Sequence, residues 1–274
     1  MPSLRAIAAE RPKWEIPLVL TQPDRGSGRG RHVQSSPVKA EAVRLGLDVE
    51  TPERLIDFRE RLRALQPDAI AVVAYGKIFR DWLLDLPPLG CVNVHFSLLP
   101  RHRGMAPVAW SILAGDARTG VCTMRMDRGV DTGPVYLRRD IAIEANDTTG
   151  TLTAKLAELG AELLVETLRG LEAGTMKPVP QDETNATHAG RIEKEDGRID
   201  WSRPAQEIER RVRALDPWPN AFTTFRGEPL KLLRTSVASG SLPAGVLEIR
   251  EGVPVAGTGQ GILLLEEVQA AGKK

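Results

Sequence analysis

The chain has 274 residues, 42% hydrophobic and 27% charged, an ordinary globular mixture that excludes a disordered, collagen-like or fibrous protein. Lysine and arginine number 37 against 36 acidic residues, so any attraction to nucleic acid must be local rather than global. Cys91 and Cys122 lie in apolar runs without CxxC spacing, and no apolar stretch reaches the roughly 20 residues of a membrane span, which argues against a disulfide scaffold, a cysteine zinc site or a membrane protein. A length near twice the usual domain suggests two domains, and the N-terminus lacks a signal-peptide core, so a cytoplasmic location is expected.

The first half alternates short apolar runs with amphipathic segments, the pattern of strand–helix–strand units around a mostly parallel sheet. Ile16–Leu20 reads as a strand, followed by a glycine- and arginine-rich loop. Pro37 opens a helix running to Gly46, Leu47–Val49 is a second strand, and Leu55–Leu65 a second helix. Ala69–Ala74 and Cys91–Phe96 are continuous apolar strands of the kind covered on both faces. A short helix is expected over Pro107–Leu113, strands over Val121–Met126 and Val135–Ile143, and a long helix over Thr149–Leu171, stopped by Gly174. Residues 176–197 are polar and lose periodicity, so the linker is placed there, between domains at 1–175 and 198–274. Beyond the helix Pro204–Leu215, five short β-like runs between Ala221 and Val268 suggest a small barrel.

The chemistry concentrates in Asn93-Val94-His95-Phe96-Ser97-Leu98-Leu99-Pro100. Period-2 alternation puts Asn93 and His95 on one face near the C-terminal end of a strand, where open α/β sheets bind their ligands. Asp131 follows in a turn flanked by Gly129 and Gly133. An amide, an imidazole and a carboxylate together suit acyl chemistry: donation to a developing oxyanion, its polarisation, and acceptance of a proton. No serine or cysteine stands in an elbow motif, which favours direct attack by an external amine; Asp127 reads as a structural turn former. His32 and His188 join no metal-ligand spacing, so no metal is expected. Arg101, His102 and Arg103 guide a ligand tail or decorate the pocket rim, the rim being favoured.

The runs NVHFSLLPRHRG and GDARTGVCTMRMDRGVDTG resemble the folate-dependent formyltransferase family. TQPDRGSGRG, SSPVK, VVAYGKI, LAELG, QDET, IDW and PWP extend the resemblance over nearly the whole chain, toward the branch acting on initiator methionyl-tRNA. The resemblance implies a Rossmann-like catalytic domain with a mostly parallel sheet, followed by an OB-like β-barrel that helps hold the tRNA. It also implies a monomer that takes its formyl group from 10-formyltetrahydrofolate, with Asn93, His95 and Asp131 as the reacting triad. Ser97, Leu98, Leu99 and Pro100 would bind folate, and Arg25, Arg29 and Arg31 in the basic loop would meet the tRNA acceptor end. The family's usual first strand, with its AGTPDF-like turn, and its final helix have no counterpart between Met1 and Lys274, so unpaired neighbouring strand edges are expected. Three other readings keep some of these features: formyl transfer to a small amine, hydrolysis of formyltetrahydrofolate, and a non-catalytic tRNA-binding remnant.

Overall fold

The computed structural model describes residues 1–27 and 32–270. Helix α1 (Pro2–Ala8) precedes strand β1 (Val19–Leu20), the antiparallel pair β2 (Arg25–Ser27) and β3 (His32–Gln34), helix α2 (Pro37–Arg44), strand β4 (Val49–Glu50), helix α3 (Arg59–Leu65) and strand β5 (Ile70–Val73). Next come α4 (Asp81–Leu84), β6 (Cys91–His95), β7 (Arg103–Gly104), α5 (Pro107–Leu113), β8 (Arg118–Arg125), β9 (Val135–Ala142), α6 (Thr149–Glu172) and β10 (His188–Ala189). The tail holds α7 (Ala205–Ala214), β11 (Ala221–Phe225), β12 (Glu228–Ala238), β13 (Leu247–Arg250), β14 (Val253–Gly257) and β15 (Ile262–Ala270). The chain divides into two compact units, one of Met1–Arg103, Gly120–Asp140 and Lys155–Thr187, the other of Gly104–Thr119, Ile141–Ala154 and His188–Lys274.

The first unit is α/β. Its four-stranded sheet runs β5-β6-β8-β9, with β5 parallel and β8 antiparallel to β6, so the sheet is mixed. A separate parallel pair joins β1 to β4. Leu18, Leu20 and Ile70 pack against the cluster of Leu62, Val72, Phe79, Leu83 and Cys91, yet among the described residues no ladder links β1 to β5. β1 is shorter than the expected Ile16–Leu20 because Pro17 has no amide hydrogen to give a ladder. The helices α1 and α4 were not anticipated; four to seven residues are too few to display a 3.6-residue period. Helix α2 starts where Ser36 Oγ accepts from the Lys39 amide at 3.1 Å and Pro37 takes the first helical position. Helix α6 lies so close to β6 that a Cβ on Gly160 would come within 2.8 Å of Val94 Cγ1 and 3.3 Å of Phe96.

In the second unit a five-stranded sheet runs β11-β12-β15-β14-β13, and its recorded pairings are all antiparallel. A ten-residue helix is marginal alone. Helix α7 is held by Ala205, Ile208 and Val212, one apolar stripe buried with Ala221, Leu232, Ala256 and Leu263. Burial of Ile208 and Val212 contributes about 1.5–3 kcal/mol each, enough to offset that deficit. The expected small barrel is described as this open ladder, and among the described residues no pairing of β11 with β13 closes it. A register shift between Leu232 and Thr235 marks a bulge in β12.

Candidate active site

β6 is an internal strand. Cys91 to Val94 pair with Ile70 to Val73, and Val92 to His95 pair with Arg125 to Cys122, so its backbone is satisfied on both sides. Side chains alternate across it, placing Asn93 and His95 on one face, with His95 as the last residue of the strand. His95 is buried, its side chain 6% exposed. Its Nε2 lies 2.9 Å from the carbonyl oxygen of His102. A carbonyl can only accept, so Nε2 carries a hydrogen and Nδ1 is the nitrogen left for chemistry. Nδ1 faces Asp131 Oδ2 at 3.5 Å, an open ion-pair distance of the sort that tightens around a reactant. Asn93 is half-buried, and among the described residues its carboxamide makes no hydrogen bond.

The turn that carries Asp131 joins β8 to β9. Asp127 Oδ1 accepts from the Gly129 amide at 3.0 Å and from Thr132 Oγ1 at 2.7 Å, the structural role read from the sequence. A Cβ on Gly129 would fall 2.0 Å from Thr132 Oγ1, and one on Gly133 only 1.9 Å from the Arg125 carbonyl, so close packing dictates both glycines. Asp131 itself takes a left-handed backbone, φ 54°, which aspartate tolerates better than most residues. Gln181 donates from Nε2 to the carbonyls of Asp131 at 2.9 Å and Gly133 at 2.7 Å. Its Oε1 accepts from Arg103 Nε at 3.0 Å and Nη2 at 2.8 Å. Arg103 in turn grips Glu183 through two contacts of 2.7 Å.

Arg103 is therefore not a rim decoration. Its side chain is 3% exposed, and Gln181 and Glu183, which sequence reading quoted only as part of QDET, are its partners. No periodicity marks such a residue, because its surroundings come from segments about 80 residues apart.

Leu98, Leu99 and Pro100 line a groove of about 470 Å³ together with Arg101, Arg138, Asp140 and Asn185. That volume is within the range of small-molecule sites. Ser97 is not among its lining; its hydroxyl donates to the carbonyl of Arg101 at 2.6 Å and is buried. Asn93, His95 and Asp131 also lie outside that lining. Arg29 and Arg31 fall outside the described residues, and only the backbone of Arg25 is described, in β2. Lys39 from the same basic segment is engaged with Asp24, Nζ to Oδ2 2.5 Å. Burial pushes the Cys91 thiol up to about 12 and the Cys122 thiol up to about 11, so both stay protonated and neither is a nucleophile.

Residues 3–168 match the formyl transferase family model, and residues 191–274 match the model of the formyl transferase C-terminal domain. The chain is 47% identical to the methionyl-tRNA formyltransferase of Solibacter usitatus, the alignment covering 100% of this chain and 88% of that protein. It is likewise 47% identical to the methionyl-tRNA formyltransferase of Desulfotalea psychrophila, over 95% of this chain and 82% of that one. Among solved structures, the N-formyltransferase of Helicobacter canadensis, in complex with folinic acid and dTDP-3-aminofucose, superposes with a TM-score of 0.74 at 18% identity, covering 97% and 94% of the two chains. The methionyl-tRNA formyltransferase of Clostridium thermocellum gives 0.55 at 19% identity, covering 82% and 86%. At these identities the structural matches speak for the fold alone.

Proposed function

The chain belongs to the formyl transferase family, among the methionyl-tRNA formyltransferases, and we infer that Asn93, His95 and Asp131 carry its transfer of a formyl group to the α-amine of methionyl-tRNA. The observation that carries this assignment is the meeting of His95 Nδ1 with Asp131 Oδ2 at the end of β6, on the strand that also presents Asn93. The donor is 10-formyltetrahydrofolate: its bond from the formyl carbon to N10 breaks as the bond to the methionyl nitrogen forms, and the amine's proton ends on N10.

The chain's own groups lower that barrier. Asn93 donates an amide N–H to the formyl oxygen as negative charge grows there, a contribution of the oxyanion-hole type. His95, anchored through Nε2, polarises the same oxygen when Nδ1 also carries a proton, and Asp131, which faces that nitrogen, orients the ring and accepts the proton of the attacking amine. Leu98, Leu99 and Pro100 offer the folate an apolar wall, while Ser97 holds their turn in shape. Arg25, Arg29 and Arg31 meet the acceptor end of initiator tRNA. In this reading residues 1–175 form a Rossmann-like catalytic domain and 198–274 an OB-like domain for the tRNA, the monomer working in the cytoplasm.

The test is formyl transfer from 10-formyltetrahydrofolate with methionyl initiator tRNA, a small amine and water as parallel acceptors. Formyl-methionyl-tRNA as the main product is expected. Preferential formylation of the small amine, or release of formate, would reassign the acceptor.

A further inference from the structure

We propose that Gln181, braced by Arg103 and Glu183, is a positioning residue that holds the Asp131 turn by its backbone and so sets the Asp131 carboxylate against His95. The proposal rests on the reading of Asp131 as a reacting group. One amide nitrogen supplies both hydrogens, to the carbonyls of Asp131 and Gly133, which fixes the peptide unit that follows each of them. The amide cannot be turned round: arginine has donors only, so the end facing Arg103 must be the oxygen.

The turn needs an external hold. Asp131 occupies a left-handed conformation, which a non-glycine residue keeps where its surroundings impose it. Asp127 ties Gly129 and Thr132 but reaches neither carbonyl that Gln181 takes. Arg103, buried behind Gln181, has its charge answered by the two-pronged contact with Glu183, whose own side chain is 68% exposed. The brace thus runs from solvent, through a buried guanidinium and one amide, to the backbone of the reacting aspartate, whose carboxylate faces His95.

The experiment measures kcat and KM for Gln181→Glu, alone and combined with Asp131→Asn. The glutamate still accepts from Arg103 but donates nothing to the two carbonyls. We expect kcat to fall roughly tenfold to a hundredfold, the effect of a small misplacement, with KM for both substrates nearly unchanged. In the Asp131→Asn background the same change should cost almost nothing further, because a group acting only through the carboxylate has nothing left to position. Equal losses in both backgrounds, a rise confined to KM, or an unchanged kcat overturns the proposal. Should Gln181→Glu fail to unfold cooperatively on heating, Glu183→Gln, at the exposed end of the brace, takes its place: a kcat loss that vanishes in the Asp131→Asn background supports the proposal, and an unaltered kcat overturns it. Wild-type turnover by Asp131→Asn alone would remove the triad reading itself, whereas an impaired Asp131→Asn beside a normal Gln181→Glu removes only the brace.

Discussion

At His95 one ring nitrogen is committed to a carbonyl and the other is turned toward a carboxylate, an arrangement that gives each atom of the site a separate duty. Replacing Asp131 by Asn preserves shape but removes the proton acceptor, and kcat should fall roughly 10²–10⁴-fold. Asn93→Ala removes a donor to the oxyanion and should cost on the order of 10²–10³ in kcat. Single-turnover rates with saturating folate and methionyl-tRNA check both, and a loss under about tenfold at Asp131 would take it out of proton transfer. The alternation along residues 91–96 was enough to read Asn93 and His95 as neighbours on one face, since a strand's period is fixed by its backbone. Nothing along the chain announced that Nε2 of His95 would be spent on the His102 carbonyl, or that Arg103 would be buried. Those facts depend on a turn after β6 folding back on it, with Thr187 Oγ1 accepting from the His102 amide at 2.8 Å.

Elements position these residues by close approach. The Gly160 site lets α6 lie against β6, and Gly160→Ala sets two effects against each other: a gain of up to about 1 kcal/mol in helix propensity and an overpacking cost of about 1–3 kcal/mol against a stiff valine. The cost should win, lowering the thermal midpoint and shifting β6 enough to reduce kcat. A midpoint raised by the substitution would show that Val94 yields easily. The same helix was legible from residue 149 to 171, because 24 residues display their period, whereas the close approach at Gly160 left no mark in that period. Helix α1 is tied to α2 through Glu41, which accepts two hydrogen bonds each from Arg44 and Arg5, and those contacts hold its carboxyl down to about 2 against an ordinary 4.5. A depressed carboxylate stabilises the fold above its unfolded pKa and loses that contribution as pH falls toward its folded value. The midpoint gap between wild type and Glu41→Gln should therefore be full above about pH 4.5 and close as pH falls toward 2. A gap that stays constant over that window would deny Glu41 the role.

For the whole molecule, a net charge of +1 leaves no global field to gather tRNA, so recognition has to come from a concentrated basic segment. Lys39 is neutralised by Asp24, which leaves Arg25, Arg29 and Arg31 as the arginines of that segment. Replacing Arg29 and Arg31 by Ala should raise KM for methionyl-tRNA and flatten its dependence on salt, while folate binding is spared. Equal damage to both substrates would point to misfolding instead.

The sequence by itself determined the α/β character of the first part, the β-rich tail, the catalytic candidates and, through NVHFSLLPRHRG and its companions, the family. It could do so because strand and helix periods, turn glycines and motif spacing are local properties of the chain. The tertiary structure alone decided that the sheet is mixed, that Ser97 secures a turn rather than facing the groove, and that Gln181, Arg103 and Glu183 stand behind Asp131. The last of these depends on hydrogen bonds between segments 48 to 80 residues apart, and polar side chains of that kind leave no periodic trace from which to predict their partners.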